Sequence, residues 1–161
     1  MSTDTPPDRP PCRFAWPPYL AGGVFIGGLL LDGILRLRPP VEYFTIPGGL
    51  IAAGAAAYVL WAVKTLRWHE TPIRADKPAR TLVTDGPYQS TRNPIYIGVV
   101  LAAVGVGLVF GSWGVVMLSP LLGVALHYLC VIPEERHLSV KFGREYAMWA
   151  AETPRWHWRN L

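Results

Sequence analysis

Charged side chains are scarce in this chain: Asp, Glu, Lys and Arg make up 16% of its 161 residues, against 51% hydrophobic residues and a mean hydropathy of +0.25. Soluble domains carry about a quarter of their residues charged, so that class is excluded and a membrane protein is expected. Cysteine is nearly absent. Cys12 lies in a polar tail and Cys130 in an apolar run, so no disulfide framework or thiolate metal site can be built from them. The four histidines include no H-x-x-x-H or H-E-x-x-H pair, which removes a helical zinc site, and no metal is expected. No glycine-rich phosphate loop follows a strand; Gly105 and Gly107 sit inside an apolar run, where close helix packing is the ordinary use of glycine. The net charge of +4 forms no stripe on a polar face, because the basic residues flank apolar runs, so nucleic acid is not an expected partner. The opening MSTDTPPDRPPCR has neither the early apolar core nor the cleavage site of a signal peptide, and the first span is therefore expected to be retained.

What the chain does have is long apolar runs. Residues 1–16 read as a disordered tail and 17–161 as a single membrane domain, with spans expected at 17–35, 46–63, 95–110 and 113–132. Each approaches the roughly 20 residues needed to cross about 30 Å of hydrocarbon. The last two are separated only by Gly111-Ser112 and should form a hairpin. After Pro133 the chain turns hydrophilic, and residues 134–149 space Leu138, Phe142, Tyr146 and Trp149 as a separate amphipathic helix would. The expected fold is thus all-α, a polytopic bundle of about four transmembrane helices.

Basic residues sort by side. Arg9 and Arg13 precede the first span, six Lys or Arg lie between Lys64 and Arg92, and Arg136, Lys141, Arg144, Arg155 and Arg159 follow the last span, whereas only Arg36 and Arg38 flank the other side. Positive loops stay cytoplasmic, so both termini and the central loop are expected to face the cytoplasm. Within a span, Asp32 has Arg36 one turn away and is expected to pair with it. His127 is expected to be a neutral, hydrogen-bonded core residue, with a proton relay as the sharper alternative.

The most informative stretch is Leu82 to Gly98, LVTDGPYQSTRNPIYIG, where turn chemistry at Asp85-Gly86-Pro87 and again at Arg92-Asn93-Pro94 runs into an apolar helix. Asn93 reads as the N-cap and Pro94 as the first helical residue. A helix N-terminus beside Arg92 is suited to an anion. The hairpin should return Glu134 and Glu135 to the same place, and the pair of carboxylates facing Arg92 would suit a zwitterion such as an amino-acid-bearing nucleotide. The plainer alternative is that the two glutamates solvate a helix end and Arg92 snorkels to lipid phosphate.

Several blocks together resemble a known family: Thr71-Pro72-Ile73, Leu82 to Tyr88, Arg92-Asn93-Pro94-Ile95-Tyr96-Ile97-Gly98, Glu134-Glu135, Lys141 to Tyr146 and Pro154-Arg155. In order and spacing they are similar to the isoprenylcysteine carboxyl methyltransferase and phospholipid methyltransferase family, over about the last ninety residues. The resemblance implies an integral membrane enzyme using S-adenosylmethionine, with the cofactor pocket formed by the central loop and the C-terminal tail. It implies cofactor contacts at Arg80, Thr81, Leu82, Val83, Tyr88, Asn93, Pro94, Ile95, Tyr96, Glu134 and Glu135, and a lipophilic methyl acceptor drawn from the membrane lipid phase: a prenylcysteine-type carboxylate, a phospholipid amine or a thiol. Many members have His at the position of Asn93. Where the prenylcysteine enzymes carry an Arg assigned to substrate, this chain has Cys130. If the acceptor is an amine, His137 or Glu135 is the nearest base on sequence. Two other readings stand beside this one: a nicotinamide-dependent membrane reductase of sterol-reductase type, for which Arg74, Lys77 and Arg80 are the available basic residues, and a non-catalytic membrane scaffold of the same fold.

Overall fold

Small residues determine how the helices of this protein meet. The computed structural model describes residues 16–36, 41–72 and 79–156. The N-terminal tail with Cys12, the loop residues Arg74 and Lys77, and His157 to Leu161 lie outside these residues. Five α-helices follow one another: α1 (Trp16–Leu35), α2 (Val41–Trp68), α3 (Pro94–Val109), α4 (Trp113–Leu126) and α5 (Ile132–Glu152), and no strand occurs among the described residues. A short 3-10 helix, Gly86–Gln89, precedes α3, and a π-helical turn, His127–Val131, joins α4 to α5.

The packing order is α2–α3–α4–α1, so α1 rests on α4 rather than on its sequence neighbour α2. At the α2–α3 seam, a β-carbon added to Gly105 would lie 2.5 Å from the backbone nitrogen of Ala52, and one added to Gly48 would lie 2.9 Å from the carbonyl oxygen of Gly105. At the α1–α4 seam a β-carbon on Gly28 would lie 2.5 Å from the nitrogen of Val115. Backbones in such contact are held by dispersion, the attraction left to helices when lipid is as apolar as their side chains. The α1–α4 seam also carries a polar bond. Asp32 accepts from the hydroxyl of Ser112 and, at 2.7 Å, from the backbone N–H of Gly114. Its carboxylate therefore caps the N-terminus of α4 instead of pairing with Arg36, because free N–H groups beside an apolar seam bind an anion better than a solvated guanidinium does.

The α3–α4 turn forms as its sequence requires. Gly111 adopts φ 62°, Ser112 donates its N–H to Gly107 at 2.7 Å and Gly111 donates to Leu108 at 3.2 Å, the paired bonds that close a helix on a left-handed glycine. The Ser112 hydroxyl then accepts from Val115 N–H at 3.1 Å and starts α4.

The fourth span departs from expectation. Pro133 does not end it: a continuous helix runs from Trp113 to Glu152. The N–H of Ile132 reaches back five residues to the carbonyl of His127, and this wider turn makes room for the proline ring that a regular α-turn would exclude. The expected separate helix 134–149 is thus the outward continuation of the span, with its break at Gly143 (φ 50°, ψ −116°) instead. The apolar part, up to Ile132, is the membrane-crossing part. α1, α2 and the Trp113–Glu152 helix are long and apolar enough to cross, and α3 is a shorter apolar helix.

Candidate functional site

The 3-10 helix, the start of α3 and the start of α5 meet at one end of the bundle, and the hairpin is what brings them there. Tyr96, in the first turn of α3, donates its hydroxyl to Oε1 of Glu134 at 2.8 Å. The Glu134 carboxyl is pushed up to about 7: burial raises it most, the Tyr96 hydroxyl partly offsets this, and the neighbouring Glu135 adds a smaller rise. Tyr88 is 8% exposed, and its phenol is pushed up by burial and then by the nearby Glu134 carboxyl, with Tyr58 adding a smaller rise. Tyrosines of the 3-10 helix and of α3 therefore lie by one carboxyl, and Tyr58 of α2 lies near Tyr88.

Glu135 is engaged elsewhere. Arg155 grips it through Nε at 2.9 Å and Nη2 at 2.5 Å, and Arg92 approaches it at 3.3 Å. Arg92 Nη1 also donates to the hydroxyl of Tyr146 at 3.2 Å. Its guanidinium is 14% exposed, so it braces Glu135 inside the protein and does not snorkel outward. Its Nε is buried with no hydrogen-bond partner among the described residues.

The segment Thr153 to Trp156 lies across the start of α3. Thr91 Oγ1 and Asn93 Nδ2 both donate to the carbonyl of Arg155, at 2.9 and 3.1 Å, and Arg92 N–H donates to Pro154 at 3.0 Å. Asn93 occupies the N-cap position, but its side chain makes no cap bond. The amide is drawn to the C-terminal segment instead.

Sequence-expected residues fall into two groups. Tyr88, Asn93, Pro94, Ile95, Tyr96, Glu134 and Glu135 come together here. Val83 is buried beneath Tyr88 in a cluster with Ala62 that Leu66, Ile95 and Trp149 pack against, and half-buried Leu82 precedes it. Thr81 is fastened instead to the end of α2, its hydroxyl 2.7 Å from that of Thr71 and donating to the carbonyl of His69 at 3.1 Å, and Arg80 beside it is exposed. His137 is buried, its imidazole pushed down by burial and by Lys141, with Nε2 unpartnered among the described residues. His127 lies further down the helix, its ring against Trp156 and Tyr128 and its Nδ1 without a hydrogen bond among the described residues. Cys130 is fully buried in the cluster that contains Tyr96.

Sequence reasoning missed the neighbourhood of Tyr58 and the bond from Trp149 Nε1 to the carbonyl of Tyr88 at 3.3 Å. A single hydroxyl inside the Ala/Gly-rich second span was the available signal for Tyr58.

A carboxyl with phenol neighbours, the start of α3 and the guanidinium of Arg92 lie together at this end of the bundle. No curated protein and no solved structure matches the chain. The family model for phospholipid methyltransferase matches residues 43–145, which run from α2 through Glu134 into α5. That match covers most of the chain and contains the site's principal residues, and the protein belongs to the phospholipid methyltransferase family.

Proposed function

We propose that the protein is an integral membrane methyltransferase that uses S-adenosylmethionine and acts on a lipophilic acceptor reaching the site from the bilayer. The observation that carries this reading is the Tyr96 hydroxyl donating to the Glu134 carboxyl at 2.8 Å at the start of α3, where the Asn93 side chain makes no cap bond. The residues fit the cofactor's chemistry. Glu134 would hold its amine or ribose hydroxyls, with Tyr88 and Tyr96 as hydroxyl partners, while the start of α3 and the Nε of Arg92, unpartnered among the described residues, would hold its carboxylate. When bound, the cofactor supplies an already electrophilic methyl group. The protein's task is then to position and to exclude water.

Glu135 and Asn93 serve that task indirectly, by fastening Arg92 and the C-terminal segment over the site. Glu135 is bonded to two guanidinium groups and is not available as a base. His137, kept neutral by burial, is a better proton acceptor for an amine. The asymmetry of Lys and Arg supports placing the site, and both termini, on the cytoplasmic side.

Calorimetric titration of S-adenosylhomocysteine into the detergent-purified protein tests the reading. Wild type should bind, and Glu134→Gln should weaken binding by roughly 1–3 kcal/mol, the worth of a charged hydrogen bond at a partly desolvated site. Equal affinity in a folded variant would remove Glu134 from the cofactor site, and no binding to folded wild type would sink the cofactor assignment.

A further inference from the structure

Glu134 and Trp149 stand fifteen residues apart on α5, yet both reach Tyr88. The phenol of Tyr88 lies near the Glu134 carboxyl, and its carbonyl oxygen accepts from Trp149 Nε1 at 3.3 Å. A straight helix would set Glu134 and Trp149 about 22 Å apart along its axis, too far for one tyrosine to span. The break at Gly143 brings the second half of α5 back. There φ is 50° and ψ −116°, the backbone of a type II′ turn, which glycine adopts without strain. A β-carbon at Gly143 would meet nothing within 4 Å, so the position requires backbone freedom and not space.

Two aromatic side chains of the returned half hold two parts of the candidate site. Tyr146 accepts from Arg92 Nη1 at 3.2 Å, and Trp149 packs against the cluster of Ala62, Val83 and Tyr88. Their rings meet edge-on, with centroids 5.8 Å apart. What Trp149 holds is weak by itself. The 3-10 helix Gly86–Gln89 is a single turn, closed by Tyr88 N–H on Asp85 at 3.1 Å and by Ser90 N–H on Pro87 at 3.3 Å, and a helix of that length is marginal on its own. Its start is tied to the end of α2, where Asp85 Oδ2 lies 3.1 Å from His69 Nε2 in an exposed contact. The bond from Trp149 acts on Tyr88 itself.

We propose that Trp149 is a positioning residue: through the Tyr88 carbonyl it sets where the phenol of Tyr88 stands relative to Glu134, and with it the affinity for the cofactor. The inference rests on the methyltransferase reading for the identity of that ligand. Phenylalanine keeps an aromatic ring but lacks the indole N–H, so the bond can be removed while most of the packing stays.

The full-length protein in detergent, with Tyr88 carried as 3-fluorotyrosine, gives a fluorine resonance that reports the surroundings of that ring. With no cofactor present, Trp149→Phe should move this resonance toward that of free fluorotyrosine. In protein with ordinary tyrosine, Trp149→Phe should weaken S-adenosylhomocysteine binding by about fivefold, as loss of one neutral hydrogen bond does. In a Tyr88→Phe background the same change should alter the affinity by less than about twofold, since the hydroxyl it positions is gone. Gly143→Ala should shift the resonance in the same direction as Trp149→Phe, so the proposal stays testable if Trp149→Phe does not fold. An unmoved resonance in the folded variants, or an equal loss of affinity with and without the Tyr88 hydroxyl, would overturn the positioning role. The two readings fail separately: a shifted resonance in protein that binds no S-adenosylhomocysteine ends the methyltransferase reading alone, and cofactor binding with an unmoved resonance ends the role of Trp149 alone.

Discussion

Glu134 loses water on folding and, among the described residues, receives in exchange the hydroxyl of Tyr96. Its carboxyl moves from 4.5 to about 7, so between those values the folded protein keeps a proton that the unfolded chain has released. The folded state binds more protons in that window, and stability falls as pH rises from about 4.5 to about 7. Glu134→Gln removes the ionisation, so it should flatten this part of the profile and raise stability at pH 8 by on the order of 2 kcal/mol. Melting curves of wild type and variant in detergent from pH 4 to 8 would show it; parallel profiles would mean that the carboxyl is solvated. The meeting of Tyr96 and Glu134 was legible because Gly111-Ser112 leaves so short a turn that the start of α3 and the end of α4 must be neighbours. The double grip of Arg155 on Glu135 was not. Arg155 stands twenty residues further along, and its direction depends on how the chain bends at Gly143 and Thr153.

At the scale of elements, the hydropathy of the spans located α1, α3 and α4 to within a residue at their starts, since caps and prolines sit beside apolar runs there. It could not give the partner of each helix. Nothing in two apolar runs says that α1 packs on α4, because that choice is made by Gly28 and Gly114 meeting and by Asp32 reaching the start of α4. Pro133 misled for a related reason: proline forbids a regular turn before it, and the π-helical turn supplies a wider one that spacing cannot foretell. The α2–α3 seam yields a sharp prediction. Gly105→Val places its β-carbon 2.5 Å from Ala52 N and 2.8 Å from Gly48 O, both backbone atoms that cannot rotate away. The helices must separate, at a cost of about 1–3 kcal/mol or more. Gly54→Ala, with nothing within 4 Å of its added carbon, is the control and should melt with wild type. If Gly105→Val also melts with wild type, the close seam is wrong.

For the whole molecule, hydropathy gave membrane residence and the fold class, whereas orientation depends on charge placement and must suit the chemistry. A cofactor such as S-adenosylmethionine is charged, polar and cytoplasmic, so a site that uses it has to open on that side. The basic residues agree, since those of the central loop and the α5 side flank the site and Arg36 lies at the opposite end of α1. Single-cysteine variants can decide the matter. With Cys12 replaced and the buried Cys130 retained, Glu42→Cys marks the start of α2 and Thr84→Cys marks the loop before the 3-10 helix; both positions are exposed. An impermeant maleimide applied to intact spheroplasts should label Glu42→Cys, and Thr84→Cys should react only after the membrane is opened. The reverse pattern would put the site on the face where no such cofactor is supplied, and would remove the methyltransferase reading together with the orientation, whatever the purified protein binds.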